Sequence, residues 1–170
     1  MKKLFSTNIV SATFNCSLER AYNTPILGDA TKILIGYGNC PIVLGFCKDE
    51  TWGNEGGKRV PIYNGGLFIK SKERGIDEIF VKKENSYWKW GVRDFGGVFS
   101  NKAIGEWFCA DNNDGTITIK WKYTWYASSI FTKPIAWLFV KTYWQNVMRN
   151  GMKIIKQMAE MEAPYIYSGN

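Results

Sequence analysis

The sequence predicts an α+β domain in which a curved, seven-stranded antiparallel sheet wraps one long C-terminal helix, with two short helices after the first strand. Three observations carry that reading. From Pro41 to Tyr126 no helical period appears, and turn-forming stretches separate runs rich in β-branched and aromatic residues. Within that region Ile117, Ile119, Trp121, Tyr123 and Trp125 alternate with Thr116, Thr118, Lys120, Lys122 and Thr124, the period-2 signature of a half-buried strand. After Pro134, apolar residues recur at Phe139, Tyr143, Val147, Gly151, Ile154, Met158 and Met161, steps of three and four that form one helical stripe.

Taken in order, residues 7–15 alternate loosely and read as a first strand. Ser17 offers an N-cap for a short helix over Leu18–Asn23. Thr24-Pro25 opens a second, with Thr24 as cap and Pro25 at its first position, closed by Gly36 and Gly38. Strands are expected near 42–48, 58–70, 77–84, 86–94, 103–110 and 116–126. Gly53–Gly57, Lys72–Gly75, Asn85-Ser86, Phe95–Asn101 and Asp111–Gly115 separate them, and Asn64-Gly65-Gly66 bends the second. Connections this short make neighbouring strands antiparallel. With Asp111–Gly115 as the turn, Cys109 faces Ile117, Trp107 faces Ile119 and Glu106 faces Lys120. The terminal helix, 134–161, spans about 42 Å at 1.5 Å per residue and is stopped by Pro164. Trp137, Val140, Trp144, Met148 and Ile155 widen its apolar arc, so more than one neighbour should enclose it.

At 170 residues the chain suits a single domain, 1–170, large enough for a core without metals or disulfide staples. Histidine is absent, which excludes Ser-His-Asp and Cys-His nucleophilic sites and His-ligated metals. Lys plus Arg number 22 against 15 Asp plus Glu, a net charge of +7. The basic residues form pairs (Lys2-Lys3, Lys58-Arg59, Lys82-Lys83) rather than runs, so composition does not point to a nucleic-acid partner. Cys16, Cys40, Cys47 and Cys109 lack C-x-x-C spacing and sit in apolar segments, as reduced, buried thiols would; no metal or cofactor motif is present. Gly53-Asn54-Glu55-Gly56-Gly57 precedes no helix, so it reads as a hairpin loop that could border a cavity mouth, not as a phosphate cradle. Polar Ser6, Thr7, Asn8, Ser11 and Thr13 interrupt any leader-like apolar run, and Lys133 and Lys141 interrupt the greasiest window, Ile130–Trp144. The expectation is a soluble, cytoplasmic protein.

Element order and several local segments resemble the START-like (SRPBCC) superfamily, the helix-grip fold of birch-pollen-allergen-type and polyketide cyclase/dehydrase and lipid transport proteins. The segments are Cys16-Ser17-Leu18-Glu19-Arg20-Ala21-Tyr22 after the first strand, Val43-Leu44-Gly45-Phe46 leading to Asp49-Glu50-Thr51-Trp52-Gly53, Gly57-Lys58-Arg59-Val60, and the terminal helix. Trp88-Lys89-Trp90 and Lys102-Ala103-Ile104-Gly105-Glu106-Trp107 look like segments of a small bacterial branch. The resemblance covers nearly the whole chain. It implies non-catalytic binding of a hydrophobic or aromatic small molecule, or a lipid, between sheet and helix. Cyclase- or dehydratase-like chemistry in the same cavity, and a protein-interaction module with a filled core, are the alternatives.

A straight helix cannot fill a curved trough except with very large side chains, and this chain carries 8 Trp, 9 Tyr and 10 Phe. Trp88, Trp90, Trp107, Trp121, Tyr123 and Trp125 from the sheet, with Tyr143 and Met158 from the helix and Arg59 as a polar handle, either line a ligand cavity or plug it as core. Arg59, Arg93, Asp94 and Glu106 are the candidates for acid–base chemistry, but strand parity turns Arg93 and Glu106 outward, and no catalytic residue is assigned. Ile130-Phe131-Thr132-Lys133-Pro134-Ile135-Ala136-Trp137 mixes apolar residues with lysine. It suits either transient docking on an anionic membrane surface or burial against the two short helices.

Overall fold

In the computed structural model, which describes residues 4–38, 40, 42–48, 50–64, 75–94, 97 and 99–165, seven strands form one antiparallel sheet. They are β1 (Phe5–Phe14), β2 (Val43–Lys48), β3 (Lys58–Tyr63), β4 (Ile76–Lys83), β5 (Tyr87–Arg93), β6 (Ser100–Asp111) and β7 (Ile117–Ala127), in the spatial order β1-β7-β6-β5-β4-β3-β2. Register breaks at Val43/Gly45, Ile79/Val81 and Ser100/Lys102 add local twist that helps the sheet curve. Helices α1 (Leu18–Leu27) and α2 (Ala30–Ile33) follow β1. The C-terminal rod runs from α3 (Lys133–Phe139) through a π-helical turn (Val140–Trp144) into α4 (Gln145–Glu160). This is the expected helix-grip architecture. Gly65-Gly66 of the expected bend, Lys72–Arg74 of the expected turn and parts of Phe95–Asn101 and of the 58–70 strand lie outside the described residues.

Four expectations are corrected. Pro25 does not open a second helix; it lies inside α1. A proline there cannot donate to the Ala21 carbonyl. The indole N–H of Trp107 on β6 donates to that carbonyl instead, at 3.1 Å. The second short helix starts at Ala30, where Asp29 accepts from Thr31 N at 3.0 Å.

The β6–β7 register is displaced by two residues, so that Trp107 faces Trp121, Cys109 faces Ile119 and Glu106 faces Lys122. Asp111 stays in the strand and accepts from Asn113 N, Asp114 accepts from Thr116 N, and Asn112 N donates to Thr116 O, closing the loop one residue later than expected. Because the displacement is even, the inward and outward faces survive.

The terminal helix ends at Glu160, before Pro164 is reached. Glu162 adopts φ 52°, Glu162 N donates to Ala159 O, and Ala163 N donates to Met158 O, a Schellman closure. The π-helical turn coincides with a contact from β1. Asn8 of β1, 2% exposed, donates to the Val140 carbonyl while its Oδ1 accepts from Lys141 Nζ at 3.0 Å. Downstream of this insertion the buried positions are Val147, Met148, Gly151, Met152, Ile155 and Ala159, and Met161 is exposed.

Finally, the four cysteines are free thiols but not all buried: Cys47, pointing away from the core on edge strand β2, is exposed. The other edge is covered. Lys141 Nζ and Lys156 Nζ donate to the Thr7 and Thr13 carbonyls at 2.6 and 2.7 Å, consuming acceptors that a foreign strand could use. No helix among the described residues is long and apolar enough to cross a membrane.

Candidate functional site

The inner face of the sheet is a series of cross-strand rungs whose composition decides where space is left. Trp88, Trp107 and Trp121 make one rung over β5, β6 and β7. The next is Trp90, Gly105 and Tyr123, and the third is Val92, Ala103 and Trp125. The first rung is filled. Trp88 and Trp107 are fully buried beneath α1, where Trp88 Nε1 donates to Tyr22 O at 2.9 Å and its ring stacks on Tyr22 at 4.9 Å. Trp52 Nε1 adds a third such bond, to Ile26 O at 3.1 Å. In the other two rungs the central residue has little or no side chain, so the trough stays deep.

Two glycines seat the large rings. A Cβ on Gly105 would lie 2.2 Å from Trp90 Cε2, and one on Gly151 of α4 would lie 3.2 Å from Trp121 Cζ3. The cavity that remains has a volume of about 110 Å³. Its aromatic wall is Trp90, Trp121, Tyr123, Trp125, Phe139 and Trp144. Trp144 meets Trp125 at 5.0 Å and 76°, and Phe139 meets Trp125 at 5.3 Å and 79°, edge-to-face arrangements that hold the rings in place.

One end of this wall is charged. In a strand, consecutive residues face opposite sides, so Lys58-Arg59 on β3 and Asp77-Glu78 on β4 each send one charge in and one out. Register then pairs them: Lys58 with Glu78 outside at 3.9 Å, Arg59 with Asp77 inside at 2.9 Å. The inner side chains are 6% and 8% exposed. The Arg59 guanidinium carbon lies 3.9 Å from the Phe46 ring centroid and 4.0 Å from that of Trp52. Asp77 Oδ2 accepts from Arg59, and Oδ1 accepts no hydrogen bond from the described residues. Burial raises the Asp77 carboxyl above the ordinary range, and Arg59 offsets only part of that effect. Burial, reinforced by the Asp77 charge, likewise keeps the Tyr63 and Tyr123 phenols protonated. The polar end therefore offers both acceptor and donors. Two cavity-wall indoles, Trp121 and Trp144, have buried N–H groups without an acceptor among the described residues.

Of the residues singled out in the sequence, Arg59, Trp90, Trp121, Tyr123 and Trp125 meet at this cavity. Trp88 and Trp107 lie under α1 instead, because the α1 carbonyls take their N–H groups. Tyr143 stacks on Phe139 at 6.3 Å and lies against Gly38, while Met158 packs beside Gly28; neither borders the cavity. Glu106 is on the outer face, accepting from Lys122 Nζ at 2.6 Å and from the Tyr87 hydroxyl at 3.0 Å. Arg93 and Asp94 are an exposed pair at 3.2 Å. The Gly53–Gly57 loop does not border the cavity; Gly56 N donates to Ile79 O and Ile79 N donates to Gly57 O, tying it to β4. Asp77 and Tyr63 were missed, although an Asp-Glu pair inside a strand must turn one carboxylate inward.

No family model matches the sequence, and no curated protein matches it. Solved structures do. A point mutant of Thalictrum flavum norcoclaurine synthase, in complex with a transition-state analogue, aligns with TM-score 0.68 at 9% identity, covering 96% of this chain and 99% of that one. Ara h 8.0201 aligns with TM-score 0.64 at 15% identity, covering 91% and 97%. Major latex-like protein 151 of Panax ginseng aligns with TM-score 0.61 at 13% identity, covering 92% and 98%. Another structure of the Thalictrum flavum synthase is a complex with dopamine and hydroxybenzaldehyde. These neighbours are Bet v 1-like proteins of the START/Bet v 1 superfamily, and the fold of this chain is theirs.

Proposed function

We propose that the protein binds a small, uncharged aromatic molecule between sheet and helix, without transforming it. The observation that carries this reading is an aromatic cavity closed at one end by the buried Arg59–Asp77 pair. Its 110 Å³ is below the ~300–1,000 Å³ of drug-sized pockets. It is of the order of a ~150 Å³ engineered apolar cavity known to take up benzene. One ring fits that scale, and a long acyl chain does not without movement of the walls. The pair is electrically balanced, so a charged guest would lose its hydration and gain no net counter-charge. A hydroxyl or amide N–H can donate to Asp77 Oδ1, and its oxygen can accept from a protonated tyrosine. The complex of a structural neighbour with hydroxybenzaldehyde supports a ring of this size as a guest of the fold.

The test has two arms. Native mass spectrometry of gently purified protein looks for a co-purifying small aromatic, and tryptophan fluorescence is titrated with phenol, benzoate and decanoate. Phenol should perturb the emission saturably while benzoate and decanoate do not. Preferential binding of decanoate would favour a lipid guest, and no response to any probe together with no co-purifying compound would favour a filled core.

A further inference from the structure

The entry to the terminal helix is apolar on both sides. Ala136, Phe139 and Val140 are buried against the sheet, while Ile135, Trp137 and Leu138 face outward, more than half exposed. The preceding turn adds Ile130 and Phe131, the latter 88% exposed. Of the two readings of this segment, burial against the two short helices is not what the structure shows for these side chains. The start of β1 lies at the same end, since Ala127 N donates to Leu4 O and Phe5 pairs with Tyr126, and both Leu4 and Phe5 are partly exposed. A second apolar face on a helix needs a partner to cover it.

Charge identifies the partner. The one charged residue between Ile130 and Leu138 is Lys133, and the sequence has no carboxylate between Asp114 and Glu160. Lys133 begins α3 within the patch, and Lys102 lies 5.4 Å from the Tyr126 ring at this end of the sheet. Asp94, at the end of β5, is held by Arg93. A second copy of the chain would bring like charges together across such a face. We infer that the segment Ile130–Leu138 docks on an anionic lipid surface, its apolar side chains entering the headgroup boundary and Lys133 facing lipid phosphates. The docking is interfacial and reversible.

Co-sedimentation with vesicles of phosphatidylcholine alone, or of phosphatidylcholine mixed with phosphatidylglycerol, tests it on the full chain. The protein should pellet with the mixed vesicles, weakly with the neutral ones, and progressively less as salt is raised. Phe131→Glu should weaken binding about tenfold or more, because it removes a largely exposed ring and adds repulsion. Lys133→Ala should weaken it about fivefold on mixed vesicles alone. Leu44→Glu, at an exposed apolar position on edge strand β2, should change nothing. Fluorescence titration of Phe131→Glu with phenol reads the cavity separately and should match the unsubstituted protein. Equal binding to both vesicle types, or unchanged binding by Phe131→Glu, would overturn the inference. So would sedimentation equilibrium showing a dimer without lipid that Phe131→Glu dissociates, which would assign the patch to a second copy.

Discussion

Replacing Asp77 by asparagine probes the charged end of the cavity, because the volume is nearly kept and only the charge is lost. Arg59 and Asp77 are 6% and 8% exposed and bonded at 2.9 Å, so the substitution removes the negative charge that faces the guanidinium in a largely dry wall. Removing one partner of a buried pair typically costs about 3–5 kcal/mol. One feature reduces the loss: the asparagine oxygen can still accept from Arg59 Nε, worth about 0.5–1.5 kcal/mol. Burial disfavours the Asp77 carboxylate itself, a penalty that the asparagine escapes, so we expect a net loss of about 1–2 kcal/mol. The pair as a whole is different: burial outweighs the pull of Arg59 on Asp77, so ionising both groups inside is no net gain. Arg59→Met combined with Asp77→Leu should therefore recover most of the lost stability, giving a large favourable coupling in a double-mutant cycle. Urea denaturation of the parent, both singles and the double at neutral pH measures all four corners. An Asp77→Asn variant within about 0.5 kcal/mol of the parent, inside ordinary surface scatter, would refute the reasoning.

Three further perturbations follow from specific contacts. Gly105→Ala places a methyl 2.2 Å from Trp90 Cε2, so it should cost about 1–3 kcal/mol in thermal or urea unfolding and weaken phenol binding by pushing the ring into the cavity. Trp107→Phe leaves the Ala21 carbonyl without a donor and should cost about 1–3 kcal/mol beyond the lost packing; in a Pro25→Ala background, where a backbone N–H is restored, that excess should shrink, as unfolding of all four proteins would show. For Glu106, burial pushes the carboxyl up but the hydrogen bonds from Lys122 and Tyr87 outweigh it, so its folded pKa is lowered. The stabilisation is present above the unfolded carboxylate value of about 4.3 and is lost as pH falls through the folded one, so Glu106→Gln should be less stable by about 1 kcal/mol at pH 7 and converge with the parent in acid.

Periodicity made the sheet legible. The alternation of Ile117 through Trp125 predicts the inward side of β7, although Thr124 on the other side is buried as well, and the same parity places Glu106 outside. What escaped was set by partners distant in sequence. Pro25 reads as a helix opener because nothing local shows that Trp107 will satisfy the Ala21 carbonyl. The π-helical turn at Val140–Trp144 coincides with a contact from Asn8, at the other end of the chain. A stripe drawn through Tyr143 and Met158 assumes uninterrupted helical phase, which that turn breaks. Trp88 and Trp107 share the inner face with Trp90 and Trp125, but only the position of α1 separates capped indoles from cavity wall. The charged end was within reach of the sequence, since Lys58-Arg59 and Asp77-Glu78 each had to send one charge inward.

The most direct measurement is a crystal structure of the protein soaked in phenol. Density for one ring among Trp125, Phe139 and Trp144, with its hydroxyl directed at Asp77, is the expected result. A trough in which the indoles have closed together and admit no guest would contradict the account.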